Sequence, residues 1–213
     1  MNKIQTTREE SPEEASGRRS ELLATGKRLF SARAYDELSI DDIAAEAGVA
    51  KGLLYYYFGS KRGFYVAVIE EAADELRRRV ELDSSLAPSD RLAHGLDAYL
   101  DFVEDSPEGY RALMAGGIGA DPEVRAIVAR ERRRFLALIV DGLTGDAGPT
   151  PALRIALEGW FSFIEGACNE WLDRGGLERK ALNLVLLHAL AGALNAVRAV
   201  DPNTPLEPAR LGI

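Results

Sequence analysis

Apolar residues recur at spacings of three and four along nearly the whole chain, and no stretch sustains the alternation of a half-buried strand. The pattern therefore predicts an all-α protein. Leu22, Leu23, Gly26, Leu29 and Phe30 form one stripe and set a first helix over 18–33. Ser39 stands before Ile40-Asp41-Asp42, where a hydroxyl accepts from a free backbone N–H and two carboxylates meet the positive helix end. The second helix so opened covers 40–47 and stops at Gly48, a residue suited to a left-handed C-cap. A third helix follows over 50–58. Gly59-Ser60 ends it, and Ser60 caps a fourth helix reaching about residue 82. Five further helices fall at 88–104, 107–116, 122–143, 151–173 and 177–200, four of them opening on proline, which suits a first turn. The total is about nine. Residues 1–17 are polar and acidic and predict a disordered tail, and the proline-rich 201–213 predict an extended one.

Length and charge narrow the class. The 213 residues allow one domain or two small ones, with ample chain for a core. No uncharged apolar run approaches the roughly 18 residues of a membrane span, and the polar start excludes a secretory signal, so a soluble cytoplasmic protein without membrane partners is expected. The single cysteine, Cys168, has no disulfide partner, and no clustered ligands suggest a metal or other cofactor. The formal net charge of −8 argues at first sight against nucleic acid. It is unevenly spread: residues 18–65 carry eight basic against six acidic side chains, a net +2, while 66–213 carry a net −8 and the first 17 residues −2. A local basic footprint survives in the acidic whole.

That footprint coincides with SIDDIAAEAGVAKGLLYYYF, residues 39–58, two short helices joined by Gly48-Val49. Such a unit holds one helix outward on a supporting one. Ile43, Ala44, Ala47, Val49, Leu54 and Phe58 supply the internal contacts. Successive helical residues are about 100° apart, so Tyr55, Tyr56 and Tyr57 cannot all be buried and at least one faces outward. The run Ile40–Val68, with its AGV-x-KG-x-x-YxYF-x-SK pattern, strongly resembles the TetR family of transcriptional repressors, the similarity covering 18–70. The resemblance implies that 18–65 form a three-helix helix-turn-helix domain bound to double-stranded operator DNA. By position it implies that Ser39, Lys51, Tyr55, Tyr57 and Lys61 touch phosphates and that Gly52, Leu53 and Tyr56 lie nearest the base edges. Two departures stand out. Ala50 replaces the usual Ser or Thr cap of the third helix, and Leu53 replaces a small or hydroxylated residue, favouring a thymine-methyl contact over a polar one. Arg18 and Arg19 are placed either to reach DNA or to begin a solvated helix.

From about residue 72 the similarity is one of architecture only, and it implies a helical ligand chamber and a dimer within 66–200. The last helix is apolar on two sides, with Leu182, Leu186, Leu190 and Leu194 on one and Leu184, Val185, Leu187 and Ala191 on another, as burial against its own domain and a second copy requires. A wider monomeric core is the alternative. Tyr99, Phe102, Tyr110, Met114, Phe135, Trp160, Phe161 and Ile164, with Leu138 and Ile139, are the candidate walls of an apolar effector site. Glu165, with Asn169 one turn on, is an acid in an apolar stretch. It either pairs with Arg134, Arg111 or Tyr110 or orients a ligand. The run Arg130–Arg134 predicts a solvated face with one inward arginine. His94 is expected at the surface, His188 in an interface or core. No nucleophile elbow, phosphate loop or His-carboxylate cluster supports an enzyme. The expectation is a non-enzymatic, ligand-responsive repressor released from a palindromic operator by a small, largely apolar molecule. A DNA-binding or interaction module without an effector is the alternative.

Overall fold

The computed structural model describes residues 12–80, 86–118 and 121–208. Among them lie nine α-helices and two single 3-10 turns, with no strand. The helices are α1 (Pro12–Ala32), α2 (Ile40–Glu46), α3 (Lys51–Phe58), α4 (Lys61–Arg79), α5 (Pro88–Asp105), α6 (Pro107–Ile118), α7 (Pro122–Thr144), α8 (Pro151–Arg174) and α9 (Arg179–Val200). Their order and number follow the apolar pattern, and the proline-opened helices begin at the four predicted prolines.

Two ends differ from expectation. The first helix starts at Pro12 rather than at residue 18, so 12–17 are helical; the rest of the predicted tail, residues 1–11, lies outside the described residues. Residues 201–208 fold back instead of extending. Thr204 is buried with its hydroxyl 3.1 Å from that of Thr150, and the Glu207 N–H donates to the Leu143 carbonyl at 3.0 Å.

The core is continuous from Leu22 in α1 to Val197 in α9. The helix α1 packs along α4 and α6, α4 also meets α7, and α8 pairs with α9. Gly26 makes the α1–α4 approach possible. A Cβ there would sit 2.3 Å from Val68 Cγ2 and 2.7 Å from Phe64 Cζ. In α9, Leu182, Leu186, Leu190, Leu194 and Val197 are buried within the chain. Contrary to the expectation from its charge-free runs, this helix is long and apolar enough to cross a membrane by length and composition, its 18-residue mean hydropathy being 1.4. Its inward leucine stripe is core. Leu184 and Val185 lie outside at 50% and 44% exposure, and α8 adds Ile155 and Phe163 to the exposed apolar surface. Gly159, Gly166 and Gly192 are also exposed, with open space above each. His188, expected inside an interface or core, is exposed in the chain. His94 is exposed as predicted, its Nδ1 2.7 Å from the Asp90 carbonyl.

Candidate nucleic-acid interface and effector cavity

Ser39 and Asp42 cap α2 reciprocally. The Asp42 N–H donates to Ser39 Oγ at 3.1 Å, and the Ser39 N–H and hydroxyl donate to Asp42 Oδ2 at 2.8 and 2.7 Å. These bonds hold the Asp42 carboxyl below its usual range, the hydroxyl contributing most. Gly48 then turns the chain at φ 65°, a conformation that favours glycine. Ile43, Ala44 and Leu54 are buried between the two helices, while Ala47, Val49 and Phe58 are partly so. The missing cap is real: Ala50 offers no side-chain bond to α3.

The outer face of α3 carries Lys51, Gly52, Tyr55 and Tyr56. Tyr56 is 78% exposed and Tyr55 45%. Tyr57 is half-buried, its ring 5.1 Å from that of Tyr56 and 6.1 Å from that of Phe58. Leu53 is half-buried and Gly52 stands in open space. The structure thus brings the sequence-derived residues of α3 to one surface, but neither lysine is idle. Lys51 Nζ lies 2.9 Å from Asp41 Oδ2, a bond that raises the lysine pKa. Lys61 Nζ sits 4.0 Å above the Tyr35 ring. Exposed pairs contribute only about 0–1 kcal/mol. A phosphate reaching Lys51 would therefore displace Asp41 at little cost. Lys51→Ala is expected to weaken binding to every duplex alike and reduce the slope of log affinity against log salt by about 1, measured by fluorescence anisotropy. Arg19 is not a free arm: its guanidinium lies 5.5 Å from the Phe58 ring centre.

The α3–α4 corner is tight. Gly59 adopts φ 73°, and Ser60 Oγ accepts from the Gly63 N–H at 2.9 Å. Next to it, Arg62 makes a contact that the sequence did not announce. Its guanidinium donates to Asp121 at 2.6 and 3.0 Å and to Glu123 at 2.8 Å, joining the first turn of α4 to the first turn of α7.

At the opposite end of α4, a cavity of about 40 Å³ opens among α4–α8. Its walls include Leu76, Arg77, Tyr99, Leu113, Met114, Phe135, Phe161 and Glu165. A cavity of that size has room for a few waters, so a larger guest must widen it. Of the predicted wall residues, Tyr99, Met114, Phe135, Phe161, Glu165 and Leu138 are there. Phe102, Tyr110, Trp160 and Ile164 are packed core that does not line it, and Asn169 and Ile139 do not line it either. Trp160 Nε1–H is committed to the Leu186 carbonyl at 2.8 Å.

Glu165 pairs with Arg132, not with Arg134, Arg111 or Tyr110. Arg132 also reaches Glu158 at 3.3 Å and lies 5.0 Å above the Phe161 ring. It is the inward arginine of the run. Arg111 instead meets Asp173 at 2.9 Å, and Tyr110 donates to the Glu165 carbonyl oxygen at 3.2 Å. Cys168 is wholly buried, and burial pushes its thiol up to about 12. A thiol that high holds almost no thiolate at neutral pH. An aromatic disulfide reagent at pH 8 is therefore expected to leave it unmodified in the native protein and to react in guanidinium; rapid native labelling would contradict the buried placement.

An exposed helix seated by a glycine turn on a capped supporting helix, and carried by a larger helical body, defines a helix-turn-helix regulator. Residues 22–68 match the model of bacterial regulatory proteins, tetR family, and 88–192 match that of the tetracyclin repressor-like C-terminal domain. A tetR-family transcriptional regulator from Streptomyces coelicolor has a solved structure 30% identical to this chain, with TM-score 0.73 over 92% of this chain and 87% of that one. A TetR-like transcriptional regulator from Rhodococcus sp. RHA1, 24% identical with TM-score 0.66 over 84% and 96% of the two chains, shares the fold. The HTH-type transcriptional activator FasR of Mycolicibacterium smegmatis is 32% identical over 133 residues, 62% of this chain and 61% of that relative's length. The chain belongs to the tetR family, a class of transcriptional regulators rather than enzymes.

Proposed function

We propose that the chain is a sequence-specific DNA-binding regulator that works as a two-fold dimer and is released from a palindromic operator by a small, largely apolar effector. The observation that carries this is the outward face of α3, where Tyr56 is 78% exposed on a helix seated against the capped α2. In this reading residues 18–65 read DNA and 66–200 bind effector and partner. Ser39, Lys51, Tyr55, Tyr57 and Lys61 hold phosphates, while Gly52, Leu53 and Tyr56 face base edges. The exposed apolar surface of α8 and α9 supports the dimer, whose recognition helices must lie about 34–36 Å apart to enter successive major grooves.

Selection from random duplex DNA is the test. A shared palindrome is the expected result, with Tyr57→Phe weakening all sequences and Tyr56→Ala changing the preference among them. Recovery of no common sequence overturns the assignment. Similarity to a protein named as an activator supports a second reading of the output, in which the same operator contact recruits transcription instead of blocking it. Mapping the operator against the promoter separates the two: overlap means repression, an upstream site activation.

A further inference from the structure

The two lysines assigned to DNA are held in opposite ways. Lys51 is paired with the Asp41 carboxylate at 2.9 Å, an anion that an incoming phosphate has to replace. Lys61, half-buried at the start of α4, meets no carboxylate among the described residues; its ammonium sits 4.0 Å above the Tyr35 ring. Asp36 and Asp121 are near enough to act on Tyr35 electrostatically, yet neither pairs with Lys61, and Asp121 is held by Arg62 at 2.6 Å. The ring itself is fixed from behind. Tyr35 opens the 3-10 turn between α1 and α2, and its ring centre lies 4.9 Å from that of Tyr65 on α4 and 6.4 Å from that of Phe30 on α1. Those two rings are in turn 4.7 Å apart. The surface on which Lys61 rests is thus anchored in the core of the helix-turn-helix domain.

A ring attracts a cation through its face and leaves the charge in place. An ammonium has three N–H donors, and a ring covers it from one side only, so donors remain for a phosphate oxygen. The ring therefore need not leave when DNA arrives, whereas Asp41 must. A lysine that swings freely has to be ordered on binding, and that cost falls away where the side chain is already placed. Resting on the assignment of Lys61 to a phosphate above, we propose that Tyr35 is a positioning residue for DNA binding: its ring holds the Lys61 ammonium ready for the phosphate and stays beneath it in the complex. Phosphate contacts fix how a protein sits on the duplex. Lys61 follows directly on the Gly59-Ser60 corner that ends α3, so the ring under it also sets the register of the recognition helix.

Anisotropy with a fluorescein-labelled mixed-sequence duplex at low salt tests this on the full-length protein, its variants Tyr35→Phe, Tyr35→Leu and Lys61→Met, and the double variant Tyr35→Leu/Lys61→Met. Tyr35→Leu is expected to bind about two- to tenfold more weakly, the cost of ordering one long side chain. Tyr35→Phe keeps the ring and should bind as the wild type does. On the Lys61→Met background the leucine should change nothing, whereas a merely structural role for Tyr35 would weaken both backgrounds alike. A second readout needs no change at Tyr35 and decides the matter even if Tyr35→Leu fails to fold. With the ε-carbons of the five lysines isotope-labelled for NMR, the Lys61 signal, assigned by its loss in Lys61→Met, is expected upfield through the ring current and should stay there when duplex is added. The proposal is overturned if Tyr35→Leu leaves affinity unchanged or weakens Lys61→Met as much as the wild type. It is equally overturned if Tyr35→Phe weakens binding as Tyr35→Leu does, or if the upfield signal is absent or is lost on adding DNA. These results leave Lys61 on its phosphate. Lys61→Met binding like the wild type would instead remove Lys61 from the interface and the proposal with it, while Lys51 and the operator selection stand. A wild type that binds no duplex overturns both readings.

Discussion

Replacing Gly63 with alanine is expected to lower the thermal midpoint by roughly 2–12 °C and to remove DNA binding, while Gly52→Ala removes DNA affinity alone. The two glycines lie eleven residues apart in adjoining helices, and their surroundings are opposite. A Cβ on Gly63 would meet the Phe58 carbonyl oxygen at 2.1 Å, backbone that cannot rotate aside. Something at the α3–α4 corner must shift. Overpacking of this kind costs about 1–3 kcal/mol, and each kcal/mol corresponds to about 2–4 °C for a chain of this size. The displaced element is α3 itself, so the exposed tyrosines move with it. A Cβ on Gly52 meets nothing within 4 Å. Alanine there should stabilise α3 by about 0.5–1 kcal/mol, since glycine is the poorer helix former. The added methyl nevertheless occupies the space assigned to a base edge. Calorimetry and anisotropy on both variants check the pair. An unchanged midpoint in Gly63→Ala would contradict the tight corner, and unchanged affinity in Gly52→Ala would remove Gly52 from the interface.

Phe163→Glu combined with Val185→Glu is expected to yield a folded monomer that binds operator at least a hundredfold more weakly. Both side chains are close to half exposed in the single chain, so neither substitution opens the core. In a two-fold pairing of α8 and α9 each change occurs twice, placing four carboxylates in an apolar contact without partners. Burying an unpaired charge is costly enough to dissociate the pair. The open space above Gly159, Gly166 and Gly192 lets a second pair of helices approach closely, which is why this surface suits another copy. Light scattering reads the mass. A dimer persisting at micromolar concentration would move the interface elsewhere.

Much of this was legible in the residues. The three-and-four spacing of leucines gave the helices, and Ser39, Ser60, the prolines and the glycines gave their ends, because caps act locally and need no tertiary context. The start of α1 was hidden because its first turns, PEEASG, are polar on every side and carry no periodic stripe. Prolines at 202, 205 and 208 suggested an extended tail, yet Thr204 turns inward to Thr150, a contact set by the packing of distant segments. Within Arg130–Arg134 the four arginines look alike in sequence. Only the rotation of α7 against α8 selects Arg132 for Glu165. The cavity walls were half readable for a similar reason: aromatic residues announce burial, but a void forms where packing falls short. Phe102 and Trp160 are as apolar as Phe135 and are simply well packed.

The clamp at Arg62 has a mechanical meaning for effector response. Helix α4 is fastened to α7 twice, by Arg62 to Asp121 and Glu123 at its first turn and by Arg77 to Glu131 at 3.5 Å near its last. On either side of the second fastening α7 contributes Val128, Arg132 and Phe135 to the cavity. A guest prising the two rods apart at the cavity therefore loads the far rivet as well as the near one. With both intact the rods would travel as a single strut and carry the recognition helix with them, if the proposed effector spreads them. With the far one cut, as in Arg62→Ala, the same guest would spread the rods at one end and leave the DNA-facing end behind.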